Sequence, residues 1–329
     1  MPKPKLSIIG LGRIGGSIGL ALKKANAELE IVGHDKDSRV AQQALKRGAV
    51  DKTEWNLLNA CDGAGLIVLA LPLRAIQDTL KILSNELPTG VIVSDTASSK
   101  VTVLEWAEML PDGVTFIGGH PVISPRKAAD NAALKPDAKG IEAADADLFQ
   151  NAVYCLTPTV SADPDAVQVM TGFVSMLGAK PLFLDAAEHD GLVSGAQHLS
   201  YLLSAALLHT TTASGGWREL SKFAGSDYLH ATELAMRDPA SQRMVMLSQR
   251  ENLARWIDLS IETLKELRGL IARGEEAPLD AWFERIIAAR EQWMAGQVGA
   301  ESAVDLAELR GGPMRLLLGG LAERGGKKK

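Results

Sequence analysis

Cysteine and aromatic residues are scarce in this chain. Of its 329 residues only two are cysteines, and 5% are aromatic. Cys61 and Cys155 lack CxxC and metal-ligand spacing, which argues against a disulfide scaffold or a metal-binding module and favours buried thiols in a reducing compartment. No apolar run is long enough to span a bilayer, and no hydrophobic signal segment precedes the first predicted strand. We therefore expect a cytoplasmic protein without a metal site and without a membrane partner.

The charge pattern argues against another class of partner. The formal net charge is −5 and there is no dense basic stripe, so a nucleic-acid ligand is not expected. With 46% hydrophobic and 23% charged residues, the composition is that of a globular protein with room for two domains. The short basic segment Lys327–Lys329 is predicted to be a solvated tail.

Glycine, in contrast, stands at informative positions. The sequence Gly10-Leu11-Gly12-Arg13-Ile14-Gly15 follows an apolar strand pattern and opens a helical one. This is the fingerprint of a dinucleotide-binding turn, in which glycines allow close approach and the amides at the helix start hold the pyrophosphate. A second strand pattern ends at Asp35, about twenty residues further on, where a carboxylate can bind the adenosine ribose. The predicted cofactor-binding residues are Gly10, Gly12, Arg13, Ile14, Gly15, Asp35, Leu71 and Pro72.

Charged residues around this fingerprint bear on the identity of the cofactor. Asp35 favours NAD over NADP, because its carboxylate would repel a 2′-phosphate. Lys36 and Arg39 could soften that repulsion, but the simpler interpretation is that they face water on the next helix. For Arg13, contact with the pyrophosphate and solvation remain equally open.

Strand and helix patterns alternate through the first half of the chain and then give way to helices. The continuous apolar run Leu66–Leu71 is typical of a parallel strand that is covered on both faces. We predict an α/β fold with an N-terminal doubly wound, Rossmann-type dinucleotide-binding domain over residues 1–187. An all-helical domain is predicted over residues 188–329. The segment from Pro125 to Ala144 is predicted to be a surface excursion, because it is rich in Pro, Ala, Lys and Asp.

His120 is the most informative single residue. It follows a strand pattern and two glycines, and Pro121 after it favours an extended backbone. We expect its imidazole to be displayed at a strand end, in the crevice at the carboxyl edge of the sheet. A proton acceptor beside a nicotinamide is what the oxidation of an alcohol requires. Ser98, after another strand, either bonds to His120, the nicotinamide or a substrate hydroxyl, or caps the helix that starts near Lys100.

Several motifs occur in a fixed order along the chain. They are Gly10–Ser17, Asp95-x-x-Ser98-x-Lys100, Gly118-Gly119-His120-Pro121, Gly140–Ala144 with Leu148-Phe149, and Glu188-His189-Asp190 followed by His198. In these motifs the chain resembles the prephenate/arogenate dehydrogenase family, from the first strand to near residue 260. The glycine fingerprint is shared by many dehydrogenases, whereas the Gly-Gly-His-Pro motif and the later helix with His189 and His198 are much more specific.

The resemblance implies an NAD-dependent oxidative decarboxylation of prephenate to 4-hydroxyphenylpyruvate in tyrosine biosynthesis. In that reaction His120 would be the hydrogen-bond acceptor or base, and Ser98 would orient the substrate and the histidine. Arogenate, or another 4-substituted cyclohexadiene, is the alternative substrate. The resemblance also implies a homodimer that is joined through the helical domains.

In the helical half, the resemblance implies that His198 and Tyr201 line the substrate pocket. The apolar segment Gly191–His209 is predicted to be a central, buried helix. Two positions depart from the family pattern, because Tyr201 replaces a histidine and Lys222 replaces an arginine that grips a substrate carboxylate. Lysine keeps the charge but loses the bidentate fork. We therefore expect the carboxylate to be held by Lys222 itself, by the nearby Arg218, or by Arg243 and Arg250, although the favoured interpretation of the last two is an exposed helix face.

Two other functions remain open on the sequence. A β-hydroxyacid-type dehydrogenase would share the predicted architecture, but it would carry a catalytic lysine in the region that here reads His189-Asp190-Gly191. A non-catalytic NAD-sensing protein would be consistent with the altered residue at Lys222, although Ser98 and His120 are both present.

Overall fold

A computed structural model of the chain describes residues 3–124, 139–236 and 238–296. Its strands form one sheet with the order β3-β2-β1-β4-β5-β6-β7-β8. The strand bounds are Lys5–Ile9 (β1), Glu30–His34 (β2), Lys52–Thr53 (β3), Leu66–Leu69 (β4), Ile92–Asp95 (β5), Thr115–Val122 (β6), Val153–Pro158 (β7) and Lys180–Phe183 (β8). The short strand β3 was not predicted, because two residues carry no periodicity.

The first six strands are parallel, and their order is the one typical of dinucleotide-binding domains. β7 then pairs antiparallel with β6, and β8 runs parallel to β7. The order reverses between β1 and β4, so a crevice opens at the carboxyl ends of these strands. The predicted doubly wound, Rossmann-type class is confirmed.

Helices cover both faces of this sheet. Ile8 and Ile9 are consecutive in β1 and belong to two different buried clusters, as the alternation of side chains along a strand requires. The helix bounds are Arg13–Lys24 (α1), Ser38–Lys46 (α2), Leu57–Cys61 (α3), Leu73–Leu83 (α4), Val101–Ala107 (α5), Pro164–Met176 (α6), Ala186–Val193 (α7), Leu199–Thr212 (α8), Trp217–Leu220 (α9), Ser226–Thr232 (α10), Pro239–Ser248 (α11), Arg250–Arg273 (α12) and Glu276–Met294 (α13).

The predicted surface excursion is wrong at its end. Residues 125–138 lie outside the described part of the chain, but Gly140–Ala143 forms a short 3₁₀ turn. Ile141 and Ala144 are buried in the core on one face of the sheet. The Cδ1 of Ile141 lies 2.4 Å from where a Cβ on Gly16 would stand, so this turn packs directly against α1. The polar composition of the segment concealed these two apolar contacts.

The prediction of one buried helix over Gly191–His209 is also wrong. The segment is divided into α7, a wide helical turn at Ser194–His198, and α8. Leucines on it remain exposed in the single chain, with exposed fractions of 57% for Leu192, 45% for Leu203 and 38% for Leu207. An apolar surface on every side of a helix predicts burial, but it does not say whether the covering surface belongs to the same chain.

The chain divides into two compact units, of which the first ends at Leu253 and the second begins at Ala254. The second unit contains the rest of α12 and α13, and its apolar residues include Leu264 and Ile271, which are 59% and 60% exposed. The predicted domain boundary near residue 187 stays a prediction. Across the described residues, no helix combines the length and the apolar character that crossing a bilayer requires. The basic tail lies outside the described residues.

Candidate active site

The predicted dinucleotide turn joins β1 to α1. Gly10 has a φ of 93°, in the left-handed region that favours glycine. A Cβ on Gly15 would lie 1.9 Å from the carbonyl oxygen of Gly10, so a side chain cannot be accommodated there. Gly12 precedes the first turn of α1, and a Cβ at Gly12 would meet nothing within 4 Å. Open space therefore adjoins the start of α1, where the first amides of a helix lack partners within the helix, and this fits a bound pyrophosphate.

Arg13 and Ile14 begin α1, and both are half-buried. The Nε of Arg13 is buried without a hydrogen-bond partner among the described residues. A buried donor beside the open turn favours the pyrophosphate contact over simple solvation, because desolvated donors are normally paired.

Asp35 follows β2 and organises the same turn. Its Oδ2 accepts a 2.9 Å hydrogen bond from the amide of Leu11, and its Oδ1 accepts one of 2.9 Å from the amide of Asp37. Arg39 is exposed and pairs with Asp37 at 2.9 Å, which supports the interpretation that it faces water. The carboxylate of Asp35 therefore lies beside the glycine turn, and both of these hydrogen bonds come from backbone amides rather than from a cationic side chain.

Three predicted site residues share one cavity at the carboxyl ends of β4 and β5. Leu71, Pro72 and Ser98 line this space of about 170 Å³, together with Ser241 and Val245 of α11. Leu71 also adjoins the dinucleotide turn, because its Cδ2 lies 2.8 Å from where a Cβ on Gly10 would stand. The structure therefore brings the nucleotide and serine motifs together.

His120 lies inside a strand rather than at its end. β6 continues to Val122, and His120 is paired with Cys155 of β7. Its side chain is 5% exposed, so the prediction of a displayed imidazole is wrong. The antiparallel strand β7 extends the ladder past the proline, and His189 packs against the imidazole from α7. The residue still lies beyond the level at which the parallel neighbour β5 ends, because Ser94 of β5 is opposite Ile117.

The charge state of His120 follows from this burial. Burial, together with the neighbouring His189, Lys100 and His198, holds the pKa of His120 well below its usual range. The imidazole is therefore neutral near pH 7, and it carries a lone pair that can accept a proton.

His189 and Asp190 complete the surroundings of His120. The Nδ1 of His120 lies 2.9 Å from the Nε2 of His189, whose own Nδ1 lies 2.9 Å from the Oδ1 of Asp190. Sequence reasoning quoted both residues as part of a motif but gave them no role in the site. The three adjacent titratable residues Glu188, His189 and Asp190, at the start of a long apolar segment, were the signal that could have identified them.

Ser98 bonds to a different histidine from the one expected. Its Oγ lies 3.1 Å from the Nε2 of His198, which is buried in the wide turn after α7. The capping interpretation of Ser98 is wrong, because α5 begins at Val101 and the carboxylate of Asp190 accepts the amides of Lys100 and Val101 at 2.7 and 3.0 Å. The start of α5 is therefore capped by the carboxylate of Asp190, which is distant in sequence, and not by the nearby Ser98.

Lys100 is fully buried beside the strand that carries His120. Its Nζ donates to Oδ1 of Asp95 at 2.6 Å and to the carbonyl oxygen of Gly119 at 2.7 Å. Asp95 in turn accepts the amide of Gly119 at 3.1 Å. Both polar groups of Gly119 are thus held by one ion pair, which fixes the backbone immediately before His120.

The remaining predicted substrate residues lie farther along the chain. Tyr201 is half-buried in α8. Arg218 and Lys222 are exposed, and across the described residues neither side chain forms an ion pair or a hydrogen bond. Arg243 is exposed, and Arg250 is exposed beside Glu251 at 3.8 Å. None of these contacts joins Arg218 or Lys222 to His120, so their roles stay predictions.

Both cysteines are free and buried, as predicted, with Cys61 in α3 and Cys155 in β7. Burial raises the pKa of the Cys61 thiol to about 12, which makes it unreactive. Within the described residues, no three His, Cys, Asp or Glu side chains are grouped so that they could hold a metal ion.

Comparison with known proteins agrees with the motifs. The model of the prephenate dehydrogenase nucleotide-binding domain matches residues 18–182, and that of the prephenate dehydrogenase dimerization domain matches residues 185–285. The chain belongs to the prephenate dehydrogenase family. Within this family, it is 33% identical over 295 residues to the prephenate dehydrogenase of Lactococcus lactis, which covers 85% of this chain and 75% of the relative.

Solved structures of the family have the same fold. The arogenate dehydrogenase of Synechocystis is 27% identical and has a TM-score of 0.69, with 88% of this chain and 99% of that one covered. The prephenate dehydrogenase of A. aeolicus, solved with hydroxyphenyl propionate and NAD+, is 23% identical and has a TM-score of 0.77. That match covers 89% of this chain and 99% of the other.

Proposed function

We propose that this protein is an NAD-dependent dehydrogenase that converts prephenate into 4-hydroxyphenylpyruvate and CO₂ in tyrosine biosynthesis. The observation that carries the proposal is the neutral, buried His120 at the carboxyl edge of a sheet whose first turn fits a pyrophosphate. Membership of the family and the name of the Lactococcus lactis relative support this substrate.

The chemistry divides between the cofactor and the side chains. When bound, NAD supplies the acceptor for the hydride that leaves C4 of the substrate. His120 accepts the proton of the C4 hydroxyl, for which a neutral imidazole is suited. Ser98 and His198, which are hydrogen-bonded to each other, orient that hydroxyl. Loss of the ring carboxylate as CO₂ makes the ring aromatic, so the side chains need only hold the carboxylate in place.

The residue that holds this carboxylate is also part of the proposal. Lys222 keeps a positive charge, but an ammonium binds a carboxylate as a point charge without the planar fork of a guanidinium. Arg218 lies four residues earlier, on α9, and is the nearby arginine. We assign the carboxylate contact to Lys222 with support from Arg218, and the pocket wall to His198 and Tyr201. Arogenate stays the second candidate substrate, because the Synechocystis relative is an arogenate dehydrogenase.

A two-substrate assay tests the function. We expect NADH to form with prephenate at a higher kcat/KM than with arogenate, and NADP to be a poorer cofactor because of Asp35. A preference for arogenate would assign the alternative substrate. NAD binding without turnover of either compound would contradict the proposal and favour a sensor, and turnover of a β-hydroxyacid alone would favour that dehydrogenase class.

We also propose that residues 1–187 bind the dinucleotide, that residues 188–329 form the dimerisation and substrate domain, and that the protein is a cytoplasmic homodimer. Support for the dimer comes from the match to a dimerization domain and from exposed apolar residues of α12. Support for the compartment comes from the two free, buried thiols.

Two neighbouring residues of α12 provide a matched pair of variants that tests the dimer. Leu264 and Lys265 are adjacent in α12, and both are exposed in the single chain. We expect Leu264→Glu to shift the sedimenting species from dimer to monomer, because a buried charge at an interface is costly, and Lys265→Glu to leave the dimer intact. A wild-type protein that sediments as a monomer at all concentrations would contradict this part of the proposal.

A further inference from the structure

Three buried side chains form a hydrogen-bonded chain behind the proposed catalytic histidine. The Nδ1 of His120 lies 2.9 Å from the Nε2 of His189, and the Nδ1 of His189 lies 2.9 Å from the Oδ1 of Asp190. The two imidazoles meet edge to face, with centroids 5.1 Å apart and planes at 78°. His189 and Asp190 do not line the cavity that contains Ser98. The hydrogen bond between His189 and His120 links both residues to the proposed base.

Asp190 sets the direction of these hydrogen bonds. Its Oδ1 accepts the amide of Lys100 at 2.7 Å, and its Oδ2 accepts the amide of Val101 at 3.0 Å and the Nε2 of Gln249 at 2.7 Å. Burial acts to raise the pKa of Asp190, but the bonds from His189 and from these donors outweigh it and lower the pKa. An ionised carboxylate can only accept, so the Nδ1 of His189 must donate.

This donor fixes the tautomers of both histidines. A neutral imidazole has one protonated and one unprotonated nitrogen. With its proton on Nδ1, His189 presents an unprotonated Nε2 to His120. The Nδ1 of His120 must then carry a proton, and its Nε2 is left with a free lone pair.

The geometry points to His189 and Asp190 as positioning residues, which hold His120 in the tautomer whose Nε2 takes the hydroxyl proton of the substrate. The inference rests on the proposed function. In the step itself, the O–H bond of the substrate breaks and an Nε2–H bond forms on His120. The resulting cation donates from Nδ1 to His189, and that proton can move onto Nε2 of His189. The positive charge then lies beside the carboxylate of Asp190, as in other His–Asp pairs.

The first test reads the tautomer directly. Ring nitrogens that carry a proton differ in chemical shift from those that do not, so NMR of the NAD-bound protein with ¹⁵N-labelled histidine reports each ring. The chain has six histidines, and the signals of His120 are those lost in the His120→Asn variant. We expect a protonated Nδ1 and an unprotonated Nε2 on His120. A protonated Nε2 in the wild-type protein would overturn the inference.

The second test is kinetic and has a control in the same helix. Asp185 is the N-cap residue of α7 and accepts the amides of Ala187 and Glu188 at 2.8 and 3.3 Å. It therefore caps a helix as Asp190 does, but its side chain has no hydrogen bond to His189 among these contacts. We expect Asp190→Asn to lower kcat by at least about 10²-fold with little change in KM, and Asp185→Asn to keep the wild-type kcat. Equal losses in the two variants, or no loss in Asp190→Asn, would overturn the inference.

The third test uses a pair of variants at His189 and applies if Asp190→Asn does not fold. Glutamine at position 189 can offer a carbonyl oxygen near the place of the histidine Nε2, whereas leucine cannot accept a hydrogen bond. We expect His189→Gln to retain more kcat than His189→Leu, and equal losses would contradict the role of that acceptor. The NMR result needs no substrate. It therefore stands even if the two-substrate assay finds no turnover, which would overturn the proposed function alone.

Discussion

We expect the His120→Asn variant to lose about 10² to 10⁴ in kcat, which is the usual contribution of a positioned general base. Asparagine cannot take up a proton near neutral pH, so the hydroxyl of the substrate would have no acceptor at the carboxyl edge of β6. The affinity for NAD should be unchanged, because the dinucleotide turn Gly10–Gly15 lies on β1 and α1 and does not use His120. Steady-state kinetics with prephenate and calorimetric titration with NAD measure the two effects separately.

His209→Asn is the matched control for this prediction. His209 is exposed near the end of α8. The same substitution there removes an imidazole but leaves the buried hydrogen bonds between His120, His189 and Asp190 intact. We expect wild-type kcat from it. Undiminished turnover in His120→Asn would remove His120 from the mechanism, and a parallel loss of NAD affinity would mean that the variant had disturbed the sheet instead.

The second large effect concerns stability. We expect Lys100→Met to lower the free energy of unfolding by about 3 to 5 kcal/mol, because it leaves a buried charge without its partner. Methionine fills a similar volume, but the carboxylate of Asp95 would keep only its bonds from the amides of Gly119 and Ala97. Turnover should fall as well, because the carbonyl of Gly119, next to His120, loses the Lys100 donor. Urea denaturation measures the loss.

An exposed ion pair provides the comparison for Lys100→Met. Lys265 pairs with Glu262 at 2.8 Å in α12, where both side chains are more than 60% exposed. Lys265→Met should therefore cost about 0 to 1 kcal/mol. If Lys100→Met lowered the free energy of unfolding no more than Lys265→Met does, the buried ion pair would contribute no more to stability than the exposed one.

Much of the nucleotide domain could be predicted from local patterns. The turn Gly10–Gly15 and the apolar run Leu66–Leu71 both occupy the positions that their sequence signals indicated. The predictions failed where the deciding neighbour was distant in sequence. His120 was expected to be displayed, but His189 packs against it from α7. Ser98 was expected to bond to His120, the nicotinamide or a substrate hydroxyl, or to cap a helix, but its partner is His198, which is 100 residues away. Strand periodicity reflects only residues that are close in sequence, so it predicts neither of these contacts.

By itself the sequence determined the doubly wound domain and the place of its glycine turn, and it predicted the carboxyl edge of the sheet as the reaction site and His120 as the proton acceptor. Glycine geometry, strand burial and the conformation before Pro121 act over a few residues, so they can be read from the chain. Only the tertiary structure decided how that residue is tuned. The bond from His120 to His189 spans 69 residues and that from Lys100 to Asp190 spans 90, and only the packing of α7 against the sheet closes them. A hydrogen bond forms between groups that the whole fold brings within about 3 Å, which no local pattern encodes.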